Sequence, residues 1–168
     1  MPERLLALLR RFRREPPEAA GPQFGALPYA IVEGQLVVLL ITSRGRGKWI
    51  FPKGRLVEGM TPWESAALEA FEEAGVEGEI EQEPIGSYML PVTEERPQPI
   101  EVEIFPLRVV TQHETWKEKR SRYRHWAVLA EAKRLITHEG LNDVVVALAQ
   151  REDGKARAQA EKTVVITQ

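Results

Sequence analysis

Cysteine is absent from the 168-residue chain, which removes disulfides, thiolate metal sites and cysteine nucleophiles together. Any catalysis must then use oxygen and nitrogen groups. Histidine is scarce: His113, His125 and His138 are scattered and never form HExxH, which argues against a zinc-protease site. No apolar run approaches the ~20 residues that a bilayer span requires, so no membrane role is expected. The leucine-rich start, MPERLLALLRRFRRE, is interrupted by Arg10, Arg11, Arg13 and Arg14. A secretory leader carries its charges ahead of a longer apolar run, so a cytoplasmic location is expected. Net charge is small too, with 23 Lys+Arg against 25 Asp+Glu, whereas dedicated nucleic-acid binders are usually basic. A nucleic-acid partner is therefore not expected. An apolar fraction of 43% suits one ordinary folded domain with its own core.

The chain divides by pattern into three stretches. Leu5, Leu6, Leu8, Leu9 and Phe12 recur at helical spacing, so residues 3–14 read as a basic amphipathic helix. Its apolar stripe would dock on the core or on a partner subunit, making a homodimer one expected arrangement, with a membrane surface as the lesser alternative. EPPEAAGPQFG follows as a linker, so residues 1–22 stand apart from a domain spanning 23–151. Two apolar, β-branched runs around Glu33-Gly34 predict a hairpin. Residues 61–74 predict a helix: Thr61 as N-cap, Pro62 at the first position, Glu64 completing a capping box, and Gly75 as the stop. Trp63 is expected to pack on the sheet. Extended segments follow at 78–90 and 99–111, with Pro106 suggesting an edge or a bulge. A short strand near 122–127, one or two helices within 128–151 and a peripheral tail over 152–168 complete the chain. This mixture predicts an α/β (α+β) layered architecture with a mixed sheet.

Charge is segregated along the chain. Residues 44–55 carry five Lys/Arg and no acid, residues 56–84 carry nine Glu and no base, and KEKRSRYR at 117–124 is basic again. Within the acidic block, Glu69, Glu72 and Glu73 stand at i, i+3 and i+4, which stacks three carboxylates on one side of a helix. Like charges at that spacing destabilise a helix unless a cation sits among them. Carboxylate oxygens suit a hard divalent ion, Mg²⁺ or Mn²⁺, of the kind that also binds phosphates. RGRGK lacks the spacing of a nucleoside-triphosphatase loop, because Trp49 follows Lys48.

Gly54, Glu69, Glu72, Glu73, Gly75 and Val76, with WIFPKG just upstream, fall at the spacing of the Nudix box, and the chain resembles the Nudix hydrolase (MutT-like) family over roughly residues 25–150. The resemblance implies the Nudix α/β/α sandwich and metal-assisted hydrolysis of a pyrophosphate by water attack at phosphorus. By the same resemblance Glu69, Glu72 and Glu73 would be catalytic metal ligands, joined by the backbone carbonyl of Lys53, with Gly54 and Gly75 structural. Two box positions depart from the pattern: Met60 replaces the first glutamate and Leu68 the arginine that helps hold the carboxylates. Glu58 is a candidate substitute for the former. The general base varies in the family; a box glutamate, or Glu94 or Glu95 in VTEERPQP, is a candidate.

Outside the box, the chain resembles the branch that hydrolyses diphosphoinositol polyphosphates and diadenosine polyphosphates. Ser43-Arg44 before WIFPKG, and Arg122, Arg124 and Trp126 in TWKEKRSRYRHW, carry that likeness. Arg44, Arg46, Lys48, Lys53, Arg55, Arg122 and Arg124 are the candidates to cradle a small-molecule polyphosphate, since paired guanidinium donors match phosphate. The basic first-strand cluster of the inositol-binding members is missing from GALPYAI. A nucleoside-triphosphate or nucleotide-sugar pyrophosphatase, and a catalytically weak domain that binds a ligand, are the alternatives. Trp49 and Trp126 read as core or rim residues.

Overall fold

A computed structural model describes residues 21–166, so the predicted first helix lies outside the described residues. The predicted hairpin is present. Strand β1 (Gln23–Val32) turns into β2 (Gln35–Thr42) through Glu33 and Gly34, both at positive φ (51° and 79°). That pair of left-handed residues makes the mirror-image turn whose twist matches two antiparallel strands. Two short strands follow, β3 (Trp49–Ile50) and β4 (Lys53–Arg55). Helix α1 (Pro62–Glu69) continues as one π-helical turn over Ala70–Ala74. Its capping box forms as the sequence predicts: Glu64 N–H donates to Thr61 Oγ1 at 3.3 Å, and Thr61 N–H to Glu64 Oε2 at 2.8 Å. Gly75 ends the helix at φ 68°, where a Cβ would also stand 2.9 Å from Trp116.

The remaining strands are β5 (Val76–Ile80), β6 (Gly86–Leu90), β7 (Ile100–Gln112) and β8 (Arg124–Val128). The segment expected as one strand over 78–90 is thus two. The main path of the sheet runs β3-β2-β1-β7-β5, with β4 on β1, β6 on β7 and β8 on β2. Among the described residues only the β1–β7 pairing is parallel, which makes the sheet mixed. Pro106 corrects its prediction: it is neither at an edge nor at the bulge, which falls at Glu77/Gly78. It lies where β7 changes partner, between the β6 register ending at Ile104 and the β5 register beginning at Leu107. The ladder is already interrupted there, so the missing N–H costs little.

Alternation along the strands feeds a core on each face. Leu27, Leu40, Val102 and Ile104 point to one side, against α2 (Leu129–Leu135) and α3 (Glu139–Ile166). Ala26, Leu39, Ile41 and Phe105 point to the other, where Ala66, Ala70 and Ala74 let α1 sit close to the sheet and Trp63 packs beside them. The result is the expected α/β/α sandwich. The boundary expected at residue 151 falls inside α3, which runs on unbroken, and Arg151 there holds Glu81 through two 2.7 Å bonds.

Candidate active site

The π-helical turn delivers Glu72 and Glu73 to a cleft that Glu69 enters from the preceding α-helical turn. Such one-turn departures from α-helical spacing concentrate at functional sites. The cleft is about 470 Å³ and brings together all three box glutamates with Arg44, Lys53 and Arg122. It opens, past Ser43, Arg44, Ile50 and Lys53, into a second cavity of about 870 Å³.

Burial dominates the chemistry of the glutamates. Glu73 is a buried carboxylate, 7% exposed, whose Oε2 has no hydrogen-bond partner. Burial pushes its protonation upward, while the Arg122 guanidinium, the Lys53 ammonium and the Lys53 backbone N–H oppose that push. Glu69 is raised to about 7, first by burial and then by the carboxylates of Glu73 and Glu72, and it shares a hydrogen bond with Glu73. Glu72 leans outward, 3.0 Å from Lys117 Nζ. Lys53 reaches into both cavities, and burial lowers its affinity for a proton against the pull of Glu73.

Gly54 is required by close approach, since a Cβ there would stand 2.5 Å from Glu69 Cδ. The raised Glu69 makes stability depend on pH. Its folded value lies above the ordinary carboxylate range, so the folded state holds an extra proton between the two. That stabilisation is complete below the unfolded value and is lost as pH rises through about 7. In chelator, the unfolding midpoint should fall between about pH 5 and about pH 8, and Glu69→Gln should flatten that fall. An unchanged slope in the variant would assign the effect elsewhere.

A strap between β7 and β8 holds the end of this helix. The last carbonyls of a helix lack intrahelical partners, and here each of four has one. Glu118 N–H donates to Glu72 O (3.1 Å), Trp116 Nε1 to Glu73 O (3.0 Å), Arg124 Nη1 to Ala74 O (2.9 Å) and His113 N–H to Gly75 O (2.8 Å). Arg124 also donates to His113 O and lies 4.0 Å above the Trp116 ring. This corrects its expected place in a phosphate cradle: its guanidinium is a helix cap, committed to carbonyls. Arg122 is likewise turned inward, with its side chain 7% exposed.

The other predicted cations divide. Arg44, Arg46 and Lys48 ring the larger cavity, on a loop closed by Lys48 N–H to Ser43 Oγ (2.9 Å) and bent at Gly45 and Gly47. Arg55 ends β4 opposite Gln23 and lines neither cavity. Glu94 and Glu95 line the larger cavity and not the glutamate cleft. Glu58 is exposed in a turn outside both, so it does not replace the missing first glutamate. Leu68 lines a separate crevice with Phe71 and Leu107, away from the cleft.

Sequence reasoning missed Glu118, a buried acid in the glutamate cleft paired with Arg44 and Arg122. Its signal was present as the single acid inside a basic run. It also missed Arg96, which faces the larger cavity with Arg44 and Lys53. The donor set is chemically that of a hard divalent cation: carboxylate oxygens, one of them buried and unpartnered. Among the described residues no three acidic or histidine side chains already stand as a coordination sphere. Glu72 would have to leave Lys117, and Glu69 its proton.

The NUDIX domain model matches residues 22–149. Nudix hydrolase 12, mitochondrial, of Arabidopsis thaliana is 28% identical, over 84% of this chain and 78% of the relative. Nudix hydrolase 13, mitochondrial, of the same plant is 31% identical, over 72% of this chain and 69% of the relative. In three dimensions the chain is similar to a C. elegans Ap4A hydrolase (TM-score 0.57, 17% identity, 77% of this chain and 96% of that one). The NUDIX domain of Shewanella oneidensis NrtR, solved with ADP ribose, is also similar in fold (TM-score 0.61, 17% identity, 87% of this chain and 97% of that one).

Proposed function

The chain belongs to the Nudix family and is a pyrophosphohydrolase, and from that premise we propose that it cleaves a polyphosphorylated small molecule of the dinucleoside polyphosphate type. One observation carries this reading: an acidic cleft suited to a divalent cation opens directly into a larger cavity ringed by Arg44, Arg46, Lys48, Lys53 and Arg96. The first end suits the scissile pyrophosphate and the second a chain of further phosphates, for which clustered cations are the natural ligands. Trp49, Leu90 and Leu141 add apolar lining to that cavity. That lining favours a nucleoside over a diphosphoinositol, whose surface is anionic all round.

Glu69, Glu72 and Glu73 would hold Mg²⁺ or Mn²⁺, which when bound neutralises phosphate charge and acidifies water. Lys53 and Arg44 would neutralise and align the bridging phosphates. Water oxygen forms the new bond to phosphorus as the bridging P–O bond breaks, and the proton passes to a box glutamate. Glu94 and Glu95 lie on the far cavity and would meet the substrate's other end.

The test is turnover of a panel (dinucleoside polyphosphates, diphosphoinositol polyphosphates, nucleoside triphosphates, nucleotide sugars) followed by phosphorus NMR with Mg²⁺ or Mn²⁺. Dinucleoside polyphosphates should be cleaved fastest, and chelator should stop the reaction. Preference for another class would overturn the substrate reading, and saturable binding without turnover anywhere would indicate a ligand-binding domain.

A further inference from the structure

We propose that Arg122 is a positioning residue of the reaction, fixing the carboxylate of Glu73 rather than binding substrate phosphate; the inference rests on the hydrolase reading above. The guanidinium is held from three elements. Nη1 donates to Thr42 O at the end of β2 (2.9 Å), Nη2 pairs with Glu73 Oε1 on the helix (3.0 Å), and Nε faces Glu118 Oε1 on the strap (3.5 Å). With Nη1 and Nη2 on protein acceptors, Nε buried at ion-pair distance from Glu118 without a hydrogen bond, and its side chain 7% exposed, it presents little to an incoming anion.

What this arrangement does is select one oxygen. Arg122 takes Glu73 Oε1, while Oε2 stays buried beside it without a hydrogen-bond partner. The other cation on the cluster behaves differently. Lys117, 66% exposed, pairs with Glu72 and can swing away, whereas Arg122 cannot. The helix supplies no such cation itself, because Leu68 faces the opposite crevice. A carboxylate meant to meet a cation in one geometry therefore has one oxygen pinned by a rigid neighbour and the other left without a hydrogen bond. A buried ion pair contributes little net stability, so its value here lies in orientation.

The test is steady-state kinetics of Arg122→Gln and Arg122→Lys at saturating divalent cation. Positioning predicts that kcat falls about 10- to 100-fold in Arg122→Gln with KM little changed, and that Arg122→Lys recovers part of the loss. A raised KM at unchanged kcat would make Arg122 a phosphate ligand instead, and unchanged kinetics would remove any role. Thermal unfolding supplies an activity-independent arm. The midpoint losses of Arg122→Gln and Glu73→Gln should fall short of adding in the double variant, because both remove one contact. Additive losses overturn the proposal. If the wild-type protein cleaves no phosphoanhydride, the hydrolase reading itself fails, an outcome distinct from silent Arg122 variants in an active enzyme.

Discussion

Glu73→Gln should lose about 10³-fold or more in kcat while staying folded, the largest effect expected of any single substitution here. Glutamine keeps the shape and can still accept from the Lys53 backbone N–H through its amide oxygen. What it loses is the negative charge, and with it most of the attraction for a divalent cation. The folded state should tolerate the change. Glu73 is already pushed toward its neutral form by burial, so removing its charge removes a group that the interior disfavours. The cost is an Arg122 with one partner fewer, partly met by Glu118 and Thr42. Circular dichroism with kinetics across a divalent-ion titration decides the matter. Turnover within tenfold of wild type at saturating metal would place the chemistry elsewhere.

Gly54→Ala should cost about 10²-fold in kcat with little loss of stability, and the contrast is the informative part. Gly54 does not adopt a positive φ, so alanine meets no backbone strain there. Its new methyl would fall 2.5 Å from Glu69 Cδ and 3.0 Å from Cγ, closer than real contacts allow. Those atoms belong to the far end of a flexible side chain, which can swing aside cheaply. The carboxylate would then leave its place beside Glu73 by roughly 1 Å, and displacements of that size are enough to cost two orders of magnitude in rate. An unfolding midpoint close to wild type, together with the kinetic loss, would establish that the glycine serves the site. A large drop in midpoint with normal turnover would assign it to the fold.

Local patterns were legible and distant pairings were not. The hairpin at Glu33-Gly34, the capping box at Thr61 and the glutamate triplet each depend on residues a few positions apart, so spacing alone places them. The place of Pro106 is not legible from spacing, because its tolerance depends on which two strands flank β7, a fact of topology. In sequence, Arg122, Arg124 and Arg44 are cations of one kind. The fold separates them, turning one to a carboxylate, one to helix carbonyls and leaving Arg44 67% exposed at the cleft. Glu118 was hidden in a basic run, and nothing short of the strap's path would bring it beside Glu73's partner. Met60 and Leu68 were legible as departures, and the structure shows both away from the cleft.

The parallel pairing of β1 with β7 has a consequence for how the molecule comes into being. Gln23 lies opposite Val102, so the central strand waits for a partner made late in synthesis. Non-local pairings of this kind slow folding, because a long loop must close before any contact rewards it. The carboxylates on the helix wait longer still, since the strap from His113 to Arg124 that caps their turn follows β7 in the chain. A chain that ends before the strap carries all three glutamates without the cap on their helix and without Arg122 beside Glu73. Completion of the acidic cleft is therefore expected to follow completion of the sheet, since the groups that cap its helix and pair with Glu73 come after β7 in the chain.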